Sequence, residues 1–129
     1  MNSIQLLYLY NAVAACSYPL GMEDGTITDD QIRASSQWDS NHGPNNGRLD
    51  FMGGNGITAA WSSLIQDLNQ WIQVDFWTLK TVSGIVIQGR SNWGTQWVAK
   101  YKVQYGIDGI HWQTVKDANG EDAVGNVYC

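Results

Sequence analysis

The sequence predicts an all-β domain, and three observations predict it. Fourteen Gly and only two Pro lie among short runs of β-branched and aromatic residues, a composition that favours strands joined by tight turns. From Trp71 onward, apolar and polar residues alternate with the period of two of a half-buried strand. Turn signals fall close together between these runs, so successive strands are antiparallel neighbours in a sandwich or barrel. At 129 residues, 43% of them hydrophobic and 15% charged, the chain is long enough for one domain with a core and too short for two ordinary ones.

Taken in order, residues 1–15 (MNSIQLLYLYNAVAA) form a segment of their own. The apolar stretch and the small-x-small Ala12-Val13-Ala14 read as a signal peptide, whereas the lack of a preceding Lys or Arg and the polar Gln5 and Asn11 read as an ordinary leader. Under either reading this segment stays outside the predicted fold, and the domain runs over residues 16–129. From Cys16 to Ile32 the chain is turn-rich, and Thr28 or Asp29 is placed to cap a short helical turn. Residues 38–56 are loop by composition, with Arg48-Leu49 the one expected core contact.

In "WIQVDFW", Ile72, Val74 and Phe76 alternate with Gln73 and Asp75, the mark of a strand. "VSGIVIQG" (82–89) is nearly continuously apolar and predicts a strand covered on both sides. In "WVAKYKVQY" (97–105), Trp97, Ala99, Tyr101, Val103 and Tyr105 share one face, with Lys100, Lys102 and Gln104 on the other. Asp108-Gly109 is a hairpin signal leading into "IHWQTV". "DANGED" (117–122) has the first oxygen ligands of a calcium loop, but it lacks Gly at the sixth position and has Tyr128 where the closing Glu belongs. It predicts a turn.

Charge and motifs exclude several classes. The net charge is −5 with Lys and Arg scattered, so no basic patch exists to neutralise a nucleic-acid backbone. No apolar run has the length of a membrane-spanning helix. His42 and His111 lack partners at metal-ligand spacing. There is no nucleophile elbow and no phosphate loop, and "GGNG" (53–56) has no strand-and-helix frame around it. The sequence therefore predicts no catalysis, no cofactor and no metal.

What remains is recognition. Seven Trp and six Tyr are more than a small core hides, and exposed aromatics mark binding surfaces. Trp61, Trp71, Trp97 and Trp112 lie in strand-like positions and are expected in the core, as are Tyr101 and Tyr105. Trp38 differs, because in "ASSQWDSNHG" its neighbours provide no apolar wall. The candidate ligand-binding residues are Trp38, Asp39 and His42 in this loop, with Arg90, Asn92 and Trp93 in a later one. Arg90 serves either a ligand or a loop carboxylate such as Asp39 or Asp50. Cys16 and Cys129 read either as a disulfide clip in an oxidising compartment or as two free thiols.

Several stretches in one order, "CSYPLGMEDGTITDDQIRASSQW", "GRLD" then "AAW", "QWIQVDF", "VSGIVIQGR" and "WVAKYKVQYGIDGIHW", resemble the discoidin domain, the C-type domain of coagulation factors V and VIII. The resemblance covers residues 16–126. It implies a distorted jelly-roll β-barrel or sandwich of the galactose-binding-like kind, with loops protruding at one end to bind collagen, cell-surface glycans or phospholipid head groups. It also implies an extracellular, secreted or cell-surface module for adhesion.

Trp38 sits in what resembles the first protruding loop, and residues 88–97 resemble another. The first loop is most similar to that of the collagen-binding discoidin-domain receptors: Trp38 matches that subgroup's loop tryptophan and Arg90 an arginine of its collagen site. His42 stands where the subgroup has a threonine, Gln96 where it has an acidic partner, and the chain is longer between Arg48 and Trp61. The family's chain runs on past the segment resembled by "DAVGNVY" into further strands, so the resemblance implies a domain lacking its final strands, with Cys129 where the family has no closing cysteine. The alternatives are an assembly module completed by another chain, or an accessory carbohydrate-binding domain of a larger enzyme.

Overall fold

In a computed structural model of the chain, the described residues are 3–6, 10–13, 16–82, 84–91 and 96–126. They fall into two units, Met1–Trp97 and Val98–Cys129. Short strands make up nearly all the regular structure, as the sequence predicts for an all-β chain.

In the first unit, β1 (Ser3–Leu6) lies between β5 (Trp61–Ser62) and β7 (Ile87–Gln88) in a three-stranded sheet. One half of β1 pairs antiparallel with β5 and the other half with β7, through Ile4↔Trp61 and Leu6↔Ile87. The segment expected to stand outside the fold thus joins two strands that are distant in sequence. β2 (Tyr10–Val13) and β3 (Cys16–Pro19) form a hairpin. β4 (Ile32–Ala34) pairs antiparallel with β6 (Ile72–Val74), and bonds from Asp75 N to Gln31 O and from Ser35 N to Trp71 O extend the ladder at both ends.

A 3-10 turn, η1 (Asp29–Gln31), precedes β4. It forms where Thr28 was expected to cap, and the Gln31 side chain closes it by accepting from Thr28 N and donating to Asp75 O. A second, η2 (Pro44–Gly47), starts with Pro, whose fixed φ suits the first position of a helical turn.

The core of this unit is Met22, Ile27, Ile32, Leu49, Ala59, Ala60 and Trp61. Trp61 is 1% exposed, and its indole N–H donates to Ser36 O at 2.8 Å, so its one polar atom is satisfied. The Arg48 guanidinium is turned inward to Met22 O, Ile27 O and Asp29, which satisfies a cation that would otherwise be costly to bury. The expected core contact at Arg48-Leu49 is present, and Asn46 joins it, buried and donating to Asn41 O at 2.7 Å.

In the second unit, β8 (Lys100–Lys102) pairs with β11 (Val124–Asn126), and β9 (Gln104–Tyr105) with β10 (Gln113–Thr114). The hairpin signalled by Asp108-Gly109 is there. Its connection runs over residues 106–112 instead of a two-residue turn, because Asp108 Oδ1 folds it by accepting from Ile110 N and His111 N. The "DANGED" segment is a turn, closed by a Lys116↔Asp122 bridge with Asp117 Oδ1 accepting from Asn119 N and Glu121 N.

Four expectations fail. The 82–89 run is not covered on both sides: Val82 and Val86 are exposed, and β7 is short and lies at the edge of its sheet. Trp71, expected in the core, is 48% exposed; the β4–β6 register puts it on the Arg33 and Gln73 side of the ladder, opposite the buried Ile32. Tyr105 and Trp112 are exposed too. Tyr105 belongs to a two-stranded ribbon, where its hydroxyl donates across the pair to Gln113.

Candidate functional site

The first loop, residues 36–43, is fastened before it reaches solvent. Trp38 N donates to Ser62 O at 2.8 Å, and the indole is left 48% exposed. Asp39 Oδ1 accepts from Asn41 N and from His42 Nδ1, the latter at 2.5 Å. His42 Nε2 lies 2.9 Å from Thr58 Oγ1. A carboxylate only accepts, so Nδ1 carries a proton toward Asp39, while Nε2 is hydrogen-bonded to the Thr58 hydroxyl. The hydrogen bond from His42 is the main cause that lowers the Asp39 pKa below its ordinary value. The His42 side chain is 15% exposed. It stands beneath the loop, joining its backbone to residue 58.

Carboxylate, imidazole and hydroxyl occur here in the order of a nucleophile relay. Thr58, however, is only 6% exposed, which leaves an electrophile no approach to the hydroxyl. The line acts as a fastening.

A second loop, residues 50–57, holds none of the binding candidates expected from sequence. Gly54 and Ile57 exchange both backbone hydrogen bonds around Asn55-Gly56, whose φ values of 52° and 84° are those of a tight hairpin turn. Met52 projects beside it, well exposed. The signal was present in the Asn-Gly dipeptide, masked by the surrounding glycines. Asp50 N donates to Gln88 Oε1 while Gln88 Nε2 donates to Asp50 Oδ1, both at 3.1 Å. Ser91 Oγ donates to Phe51 O. These bonds tie the second loop to the start of the third.

In that third loop Arg90 is held twice by one residue. Its backbone N donates to Gln96 O at 3.0 Å and its Nη1 to Gln96 Oε1 at 2.9 Å. Gln96 thus takes up the guanidinium at the position where the resemblance puts an acidic partner. The expected partners Asp39 and Asp50 are engaged with His42 and Gln88. Asn92 and Trp93 lie outside the described residues, as does the pairing of Cys16 with Cys129.

Three loops of the first unit, 36–43, 50–57 and the ends of 88–96, are therefore linked through residues 58–62 and 88–91. They carry a half-exposed indole (Trp38), a carboxylate (Asp39) and a guanidinium braced by an amide (Arg90). Such a set suits stacking and polar reading of a surface ligand. Among the described residues there is no cluster of three metal-ligating side chains and no helix long and apolar enough to cross a membrane.

Loops carried at the ends of short antiparallel strands define a class of binding module, and the comparisons give its family. Residues 31–128 match the F5/8 type C domain, so the chain belongs to that family, the discoidin domains, whose fold is a jelly-roll β-sandwich. Human retinoschisin (Homo sapiens) is 38% identical over 122 residues, covering 88% of this chain and 53% of that protein. Rat lactadherin (Rattus norvegicus) is 40% identical over 116 residues, covering 84% of this chain and 26% of that protein. The human EGF-like repeat and discoidin I-like domain-containing protein 3 (Homo sapiens) is 39% identical over 116 residues, 81% of this chain and 23% of that protein. The chain spans about half the length of retinoschisin and about a quarter of the other two. These relatives are secreted or cell-surface proteins, and the chain is extracellular. No solved structure gives a significant match.

Proposed function

We propose that the chain is a non-catalytic adhesion module that binds an extracellular macromolecule through the three linked loops, with fibrillar collagen the first ligand to test. The observation that carries this reading is Trp38, a half-exposed indole on a loop fastened by the Ser62 backbone bond and the Asp39–His42–Thr58 line. A rigid aromatic gives contact area with little entropy to lose on binding, the economy seen at interface hot spots. Arg90, braced by Gln96, supplies a planar donor for a carbonyl or carboxylate.

The test is binding of the purified chain to immobilised fibrillar collagen, beside Trp38→Ala and Arg90→Ala. Cooperative unfolding of all three is the admission criterion. A fall of about tenfold or more in affinity for each variant is expected, the size of an interface hot spot. A folded chain that leaves collagen unbound overturns collagen as ligand and moves the test to glycans and to phospholipid vesicles.

A second reading, assembly with another chain, draws on the second unit, where Tyr105, Ile107, Ile110, Trp112 and Val124 are all exposed. Short ribbons with open edges accept further strands. Concentration-dependent self-association that survives both loop substitutions would favour it.

A further inference from the structure

Polarity is inverted in the loop that follows Trp61. Ser62 and Ser63 are 0% and 1% exposed, whereas Leu64 and Ile65 are more than half exposed and Leu68 is fully exposed. Single exposed apolar residues are ordinary. Three within five positions, beside two buried serines, mark an interaction surface.

This arrangement is held in place by hydrogen bonds. Ser63 Oγ donates to Ile65 O at 2.8 Å. Asp67 Oδ1 accepts from Asn69 N and Gln70 Nε2, and Gln70 Oε1 accepts from Ser35 Oγ and Ser36 Oγ. Ser36 Oγ in turn accepts from Leu64 N at 3.1 Å, while Trp38 N donates to Ser62 O. The polar side chains are spent on closing the loop and binding it to residues 35–38, so the aliphatic ones are held outward. The two segments run antiparallel, with Trp38 opposite Ser62 and Ser36 opposite Leu64, which puts the exposed Trp38 on the border of the aliphatic crest.

Charge selects the occupant. Between Arg33 and Lys80 the only Lys or Arg is Arg48, and its guanidinium is turned inward to Met22, Ile27 and Asp29. Asp67 lies in the crest's own loop and Asp39 in the facing segment, one residue beyond Trp38. Hydrogen bonds, chiefly from Gln70 and from His42 respectively, hold both pKa values below the ordinary carboxylate range. An apolar crest rimmed by fixed negative charge repels anionic bilayers and sulfated glycans and complements an apolar surface carrying cations. We infer that the crest of Leu64, Ile65 and Leu68, bordered by Trp38, docks a protein partner that presents aliphatic side chains flanked by lysine or arginine. This surface shares Trp38 with the collagen reading but needs no part of Arg90.

The test uses the full chain against three immobilised peptides, alternating leucine–lysine, alternating leucine–glutamate and alternating glycine–lysine, and against phosphatidylcholine vesicles with and without phosphatidylserine. The expected result is binding to the leucine–lysine peptide at least about tenfold tighter than to the other two peptides. Leu68→Ser and Ile65→Ser, which remove exposed side chains, should each weaken it by about tenfold while the melting temperature holds. Asp67→Asn should weaken it and reduce its dependence on salt. Equal binding to the lysine and glutamate peptides, or no loss in the Leu68 and Ile65 variants, overturns the inference. So does vesicle binding that Leu68→Ser abolishes, which would assign the crest to lipid. A folded chain that ignores collagen while Leu68→Ser still loses the leucine–lysine peptide keeps this inference and sinks the collagen reading.

Discussion

His42 shows how one residue changes meaning between sequence and structure. In the sequence it is a polar loop residue near Trp38, hence a ligand candidate; in the fold it sits under the loop with both ring nitrogens engaged. His42→Ala leaves the buried Thr58 hydroxyl without its partner, and such a loss costs about 1–3 kcal/mol. Urea denaturation should show a lower midpoint at unchanged slope, and the Trp38 indole resonance should broaden or shift. Trp77 is the opposite case, a residue that no sequence pattern singles out. Its φ is +58°, a left-handed conformation that glycine adopts freely and a tryptophan does not. Its backbone N–H is held there by Asp75 Oδ1 at 2.8 Å, and its side chain is mostly exposed. Relief of that strain is worth about 1–2 kcal/mol, so Trp77→Gly should leave the thermal midpoint unchanged or raise it. A clear fall would mean that the indole packs more strongly than its exposure indicates.

At the scale of elements, the strands were legible wherever two signals agreed. The β9–β10 hairpin was announced by Asp108-Gly109, and β6 by the alternation from Ile72 to Phe76. The short turn before β4 was announced by Thr28 and the acidic residues after it. What alternation did not reveal was the cover on each face, which is why Tyr105 and Trp71 were expected in the core and lie exposed. The β8–β11 pair carries its own electrostatic clasp. Asp122 accepts from Lys102 at 2.7 Å and from Lys116 at 2.5 Å, and these bonds, Lys102's first, lower its pKa from 3.8 to about 2. A carboxylate depressed on folding stabilises above its unfolded value and loses that contribution as pH falls through the folded one. The window is therefore pH 3.8 down to about 2. The Asp122 carboxyl carbon should titrate near the lower value by NMR, and Lys102→Met should move its midpoint back toward the upper one. In the same pair, a Cβ built on Gly125 would stand 2.0 Å from the Tyr101 ring, so the glycine is what lets the aromatic lie across the strand.

At the scale of the whole chain, burial is uneven between the two units. Met22, Ile27, Ile32, Leu49, Ala59, Ala60 and Trp61 are buried in the first unit, whereas Val98 is the one buried hydrophobic residue among those described in the second. Regions with few buried apolar contacts open at lower free energy. Native-state hydrogen exchange should therefore find the amides of Ile32 and Trp61 among the slowest and those of residues 104–114 among the fastest in paired strands. Equal protection in both units would contradict this ordering.

The sequence by itself determined the class of fold, the positions of the strands from Ile72 to Thr114, the family, and the loop in which an exposed tryptophan would stand. All of these are written in short-range patterns: period-two alternation, turn dipeptides, and ordered segments of matching spacing. Only the tertiary structure decided that Trp61 is buried while Trp71 is not, that Gln96 braces Arg90, and that Ser62 and Ser63 go inside while Leu64, Ile65 and Leu68 stay out. The reason is physical. A side chain's cover and partners are set by ladders between residues far apart in sequence, such as Ala34↔Ile72 and Ile4↔Trp61, and by single hydrogen bonds across loops. Local periodicity carries no record of either.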